Sequence, residues 1–344
     1  MFTVHVGLHK TGSTSIQTAL SLAPARAGLH VLSPAPLPLF EEADFTARMR
    51  GLAASGHVIV SDEGLLGEPW DGYADASIRL GKVNAALKDL EHEIVVYVRP
   101  QTTWLASVYL QLVQQGQPLS ARAFWEGVRD QPNIRWTTLV ELLRHESAAA
   151  RVTVRAFVPG RDAVDDFFAC VGLPQAPRPV AGGIRENVSI AAVQAPILVA
   201  LNTDPSLTNG ERLRLRHTFQ NQLAAGARPG LSPFNAELQE EIVEQFRSDW
   251  SGLADLLSAS DPAEADVVRE SADLWRSDPL AFAGDSLGDP LVEEEMLRSL
   301  RALAGQVAAP GRDGIPQRIA AKLRSNPRDV PAAVARALRR RPGP

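Results

Sequence analysis

Residues 1–17 read MFTVHVGLHKTGSTSIQ, and the stretch from Gly7 to Ser15, GLHKTGSTS, decides the fold. A short apolar strand runs into a glycine loop, and Ser and Thr then lead into a helix from about Ser13. A glycine loop in that position binds phosphate because glycines let backbone N–H groups turn inward, while the helix N-terminus adds the positive end of its dipole. Gly7 and Gly12 keep the G-x-x-x-x-G spacing of an ATP-type loop. That motif, however, requires Lys and then Ser or Thr after the second glycine. Here Ser13 and Thr14 stand there, and the lysine lies inside the loop, at Lys10. Of the 35 basic residues only Lys10, Lys82, Lys88 and Lys322 are lysines, so a lysine kept in the loop points to a need for a compact ammonium.

Outward from the loop, β-rich runs alternate with helical patterns: TVHVGL, LHVLS, HVIVS, EIVVYV and VTVRAF are separated by IRLGKVNAALKDL, TTWLASVYLQLVQQ and similar segments, with AVDDFFACVG following the last. Strands of nearly continuous Val and Ile between helices imply parallel pairing with both faces covered. The expected architecture is α/β, a doubly wound, mostly parallel sheet. From Val188 to about Leu257 the pattern reads as wholly helical, a cap completing a domain of residues 1–260. Residues 261–344 read as a charge-segregated extension, helical or partly disordered. Its acidic part spans 261–295, its basic part follows, and short helices are expected at VEEEMLRSLRALAG and DVPAAVARALRRR. The basic end is expected to dock on the acidic segment or to be disordered, rather than to bind an anionic lipid surface, since Arg336, Arg339, Arg340 and Arg341 sit among Ala and Val with little apolar anchorage.

Bulk properties narrow the function. With 344 residues and 45% apolar content the chain can bury a large core, and a formal charge of −5 gives no global attraction to nucleic acid. One cysteine, Cys170, excludes an intrachain disulfide, and its apolar surroundings favour a core thiol over a nucleophile. No basic-then-apolar leader is evident, and no run approaches the ~20 apolar residues of a membrane span, so a cytoplasmic location is expected.

The segment HKTGSTSIQ resembles the 5′-phosphosulfate loop of sulfotransferases that use 3′-phosphoadenosine 5′-phosphosulfate (PAPS), with its Lys-x-Gly-(Thr/Ser)-Thr pattern. A second stretch agrees with it. EIVVYVRPQTTWLASVYLQ places Arg99 at a strand end, Ser107 eight residues on and Tyr109 two further, the spacing of that family's 3′-phosphate clamp. Pro100 departs from the pattern by following Arg99 directly, where the family's proline often stands two residues on. HVIVSDEGL resembles the strand that brings a catalytic carboxylate in some carbohydrate and bacterial sulfotransferases, and RENVSI resembles the family's Asn-x-Ser element. The resemblance spans about residues 1–257 and is closest to bacterial members; it implies a fold of the P-loop nucleotide-binding type.

What the resemblance implies is transfer of a sulfuryl group from PAPS to a hydroxyl or amine of an acceptor, a small molecule or carbohydrate, with adenosine 3′,5′-bisphosphate released and no metal required. Lys10, Thr11, Gly12, Ser13, Thr14 and Ser15 would hold the 5′-phosphosulfate, and Arg99 and Ser107 the 3′-phosphate. Lys10 would stabilise charge on the bridging oxygen, and Glu63 or His9 would take the acceptor's proton. Other readings stand beside these. Glu63 could cap the turn after its strand, Arg99 could close a strand end in a salt bridge, and Trp104 and Tyr109 read as packing residues. HVIVSD also resembles a magnesium-holding strand of P-loop kinases and ATPases, with Asp62 as the ligand. A non-catalytic nucleotide-binding protein is a third reading, although the NTDP at 202–205 lacks the lysine of a guanine-reading motif.

Overall fold

The computed structural model describes residues 1–23, 28–174, 177, 192, 195–203, 205, 208–210, 212–213, 231–277 and 281–282. RENVSI, Asp204, the two short tail helices and the basic cluster at 336–341 lie outside them. The chain divides into two compact units: residues 1–104, 128–184 and 243–277 form the first, and residues 105–127, 185–242 and 278–344 form the second.

The first unit is built on a five-stranded parallel sheet. Strands β1 (Phe2–Val6), β2 (Leu29–Leu32), β3 (His57–Asp62), β4 (Glu93–Val98) and β5 (Arg151–Ala156) lie in the order β2-β3-β1-β4-β5. β1 is buried at every position and β4 at all but its first, as expected of central parallel strands covered on both sides. The register sets Val6 opposite both Asp62 and Val96, so β3 and β1 end level and β4 runs two residues further, to Val98.

Helices cover both faces. On one, α1 (Ser13–Leu22) and α8 (Ala163–Cys170) pack Ile16, Leu20, Phe167 and Phe168 against Ile59, Val95 and Tyr97. On the other, α3 (Phe45–Ser55) lies against β3, α7 (Trp136–Glu146) lies against β5, and α4 (Ala76–Leu87) packs on α7; the short α2 (Leu37–Phe40) touches α4. The crossovers β2→β3, β3→β4 and β4→β5 all run one way across the sheet, and β1→β2 alone runs the other way. Loops that leave neighbouring strands for opposite faces open a crevice at the strands' carboxyl ends. In this sheet that crevice flanks the end of β1.

Two features depart from the sequence reading. Residues 262–277, counted with the C-terminal extension, form a regular helix that packs on β5 within the first unit. The tie is a buried ion network that sequence spacing does not reveal. Glu264, fully buried, accepts from the Ala156 N–H and from Arg161 and lies 2.9 Å from Arg155; Asp166 in turn pairs with both arginines and accepts from the Tyr97 hydroxyl. The second departure is a two-residue strand, β6 (Leu231–Ser232), in a stretch read as wholly helical. It pairs with β7 (Ala281–Phe282), and two residues are too few to print a period on the sequence.

In the second unit, Tyr109 packs against Phe124 and Phe234, and Asn202 donates to the carbonyls of Val113 and Gln117. Arg122 and Trp125 both donate to Glu241. These residues come from α5 (Gln101–Gln115), α6 (Ala121–Val128), α9 (Ala195–Asn202) and α10 (Ala236–Ser258); α5, α6 and α10 contribute to both units. α11 is the helix Pro262–Ser277 already described.

Candidate functional site

The loop after β1 is fixed by its own side chains and by its neighbours. Gly7 continues the ladder, its N–H donating to the Asp62 carbonyl, and a Cβ there would lie 2.9 Å from Ser13 Oγ. Thr11 and Ser13 both donate their hydroxyls to the Leu8 carbonyl, at 2.7 and 2.8 Å. Lys10 and Gly12 have left-handed backbones, φ 64° and 85°. Glycine adopts that region freely, whereas at Lys10 it carries a steric cost of order 1 kcal/mol. A Cβ on Gly12 would meet Ala163 and Phe157 at 3.0 Å, so Gly12 answers both to its backbone angle and to a close approach.

Every carbonyl from Leu8 to Lys10 is held. Besides the two hydroxyls on Leu8, Trp104 Nε1 donates to His9 O at 2.9 Å and Arg99 Nη1 to Lys10 O at 3.1 Å. The His9 N–H donates to the Tyr73 hydroxyl. With these carbonyls engaged, the loop's anion-binding capacity rests on N–H groups. α1 begins at Ser13, so the Ser13, Thr14 and Ser15 N–H groups have no carbonyl one turn back within the helix.

Behind the loop stands an aromatic wall. Trp104 stacks on Tyr73 and meets Trp136 edge-on at 5.0 Å, and Trp136 Nε1 donates to the Arg99 carbonyl. Asp249, from α10, caps α7 by accepting from the N–H groups of Trp136 and Thr137, and it also accepts from Gln101. Trp104 is thus a packing residue, as read from the sequence, and also a positioning one. Tyr73, Trp136 and Asp249 carry no motif, since they reach the loop only through tertiary contact.

Two cations converge on the site. Arg99, half-buried at the end of β4, donates through Nε to Thr103 and lies over the Phe157 ring at 5.6 Å; burial brings its pKa down to about 10. Burial also lowers the Lys10 ammonium, with Glu63 opposing and Arg99 adding to the effect. Among the described residues neither cation has a carboxylate within 4.0 Å, unlike Arg122, Arg155 and Arg161. Among the described residues Arg99 thus forms no salt bridge of the kind its alternative reading invoked. Ser107 belongs to the part of α5 that lies in the second unit.

Glu63 follows β3 and accepts from the Thr14 hydroxyl at 3.0 Å. Burial raises its pKa, while Thr14 and Lys10 hold the rise back. Thr14, expected to hold a phosphate, is thus engaged with the carboxylate. Asp62 accepts from the Gly64 N–H at 2.7 Å, closing the turn that follows β3. His9 is buried; its pKa falls to about 4, first through burial and then through Lys10. Ser15 is exposed, and Cys170 is partly buried with its thiol pKa raised by burial. No group of three potential metal ligands occurs among the described residues, nor any helix long and apolar enough to cross a membrane.

No protein-family model matches this chain, and no curated protein or solved structure matches it either.

Proposed function

We propose that the chain transfers a sulfuryl group from PAPS to a hydroxyl or amine of an acceptor. One observation carries the reading: Lys10 and Arg99, at the ends of β1 and β4, lie together with no ion-paired carboxylate among the described residues, and Arg99 fixes the backbone of the lysine loop. Two partly buried cations beside a helix N-terminus, neither in an ion pair among the described residues, suit a ligand with two separated anionic groups. The GLHKTGSTS loop and the Arg99–Ser107 spacing match those groups to a 5′-phosphosulfate and a 3′-phosphate.

In this reading the acceptor oxygen attacks sulfur in line. The new S–O bond forms as the bond between sulfur and the bridging oxygen breaks, and adenosine 3′,5′-bisphosphate leaves with the bridging electron pair. Lys10 and the N–H groups from Gly12 to Thr14 meet the charge that grows on that oxygen, which stabilises the transition state more than the ground state. The acceptor's proton goes to Glu63. Of the two candidate bases Glu63 is the one joined to the loop by Thr14, and burial raises its pKa while it lowers that of His9.

The test is thermal melting without acceptor. Adenosine 3′,5′-bisphosphate in EDTA should stabilise the chain, since a ligand at 100 times its dissociation constant adds ~2.7 kcal/mol. Stabilisation by magnesium ATP, with none by the bisphosphate, would replace this reading with that of a kinase using Asp62 and the loop.

A further inference from the structure

His9, Glu68 and Trp70 form a group that the donor reading leaves unused. His9 is only 8% exposed, yet its Nδ1 is buried with no hydrogen-bond partner, and its Nε2 faces Glu68 Oε2 at 3.8 Å, beyond hydrogen-bond reach. A neutral imidazole carries one N–H and one lone pair, and leaving such a group buried and unpaired is costly. Its backbone is pinned on both sides, the N–H by Tyr73 and the carbonyl by Trp104, so the ring is presented in one place, next to Lys10.

What surrounds that ring is chemically specific. Trp70 keeps 38% of its surface exposed and lies edge-on to His9 at 6.2 Å. Glu68 and Trp70 come from the same turn, with Pro69–Asp71 as a single 3-10 segment. Glu68 stands with two further carboxylates and one cation: burial raises its pKa first, Arg79 opposes, and Asp71 and Asp62 add to the rise. Arg79 is meanwhile tied to the Gly64 carbonyl. An exposed indole beside carboxylates attracts cations and repels anions.

We propose that His9, Glu68 and Trp70 form the acceptor subsite, and that it takes an alcohol carrying a protonated amino group. The ammonium lies against Trp70 and Glu68, and the alcohol oxygen hydrogen-bonds the His9 ring beside the sulfuryl group. This rests on the sulfotransferase reading and adds to it the charge of the acceptor.

Three hexoses that share a ring and differ in charge test it: glucosamine, glucose and glucuronate, titrated calorimetrically into the full chain saturated with adenosine 3′,5′-bisphosphate. Glucosamine should bind roughly tenfold tighter than glucose, from one partly exposed charge pair and one cation–π contact, and glucuronate should bind more weakly than glucose. Glu68→Gln should abolish the advantage of glucosamine, and Trp70→Ala should weaken all three. Both variants should bind the bisphosphate as the parent does, which shows that they fold. Equal binding of glucosamine and glucose, binding by none of the three, or an advantage that survives Glu68→Gln overturns the proposal. If the parent fails to bind the bisphosphate, the sulfotransferase reading falls, while the same hexose series run without it still decides the charge preference of the subsite.

Discussion

Arg99 Nη1 donates to the Lys10 carbonyl at 3.1 Å, so the cation that ends β4 fixes the backbone of the loop that ends β1. The two strands are neighbours, and the connection that leaves β1 runs the opposite way across the sheet from the one that leaves β4. Loop and arginine therefore face one crevice, and disturbing one disturbs the other.

Arg99→Ala should weaken binding of adenosine 3′,5′-bisphosphate roughly 10- to 100-fold, the value of a charge-assisted hydrogen bond to a phosphate. Adenosine 5′-phosphosulfate, which lacks the 3′-phosphate, should lose less but not nothing, because the Lys10 carbonyl also loses its donor. Calorimetry with both ligands decides the matter: equal losses would leave Arg99 as a brace for the loop and remove it from the 3′ clamp.

Glu63→Gln keeps an oxygen that can accept from Thr14, so the loop and donor binding should survive. Turnover with a competent acceptor should fall on the order of 10² to 10⁴-fold for a lost general base. Near-parental turnover would pass the role to His9. Asp62→Asn, which keeps the oxygen that accepts from Gly64, is the control and should stay within a few fold of the parent.

Two glycines should respond to alanine with opposite signs. Gly12→Ala places a Cβ at φ 85° and 3.0 Å from Ala163 and Phe157, and it should cost about 1–3 kcal/mol of stability. Gly81 sits exposed inside α4 with nothing within 4 Å of its would-be Cβ, and Gly81→Ala should stabilise by about 0.5–1 kcal/mol. Thermal unfolding of the pair reads both. A neutral Gly12→Ala would mean that the loop relaxes without cost.

The parallel sheet was legible because its central strands are buried on both sides and print nearly continuous Val and Ile, and because helix periods separate them. The lysine loop was legible because its parts are contiguous. What sequence could not supply are contacts that join distant segments: Trp104 to His9, Asp249 to the start of α7, Glu264 to Arg155 and Arg161. Each is a single side chain with no spacing to announce it. The turn from Glu63 to Asp75 was a partial signal, since a Gly-rich loop with Trp and four acids after a central strand is unusual for a plain connection. Only the fold shows that His9 faces it.

The last prediction concerns acid stability and follows from His5. This residue lies in the middle of β1, fully buried, with Nδ1 2.8 Å from Ser61 Oγ and its ring 4.9 Å from Phe167. Burial pushes its pKa from 6.5 down to about 3. Between those values the unfolded chain binds a proton that the folded chain refuses, so stability is fully present above pH 6.5 and is lost as pH falls toward 3. His5 alone should contribute a slope of about 1.4 kcal/mol per pH unit within that window. Asp62, Glu63 and Glu68, whose pKa values are raised, work in the opposite sense, losing stability as pH rises. They are common to parent and variant, so the difference between the two isolates the histidine. His5→Gln, which retains an amide to meet Ser61, should show a shallower loss between pH 6 and pH 4 in denaturant unfolding, the two curves diverging by about 1.4 kcal/mol per pH unit. Parallel curves would mean that His5 already takes up a proton in the folded state.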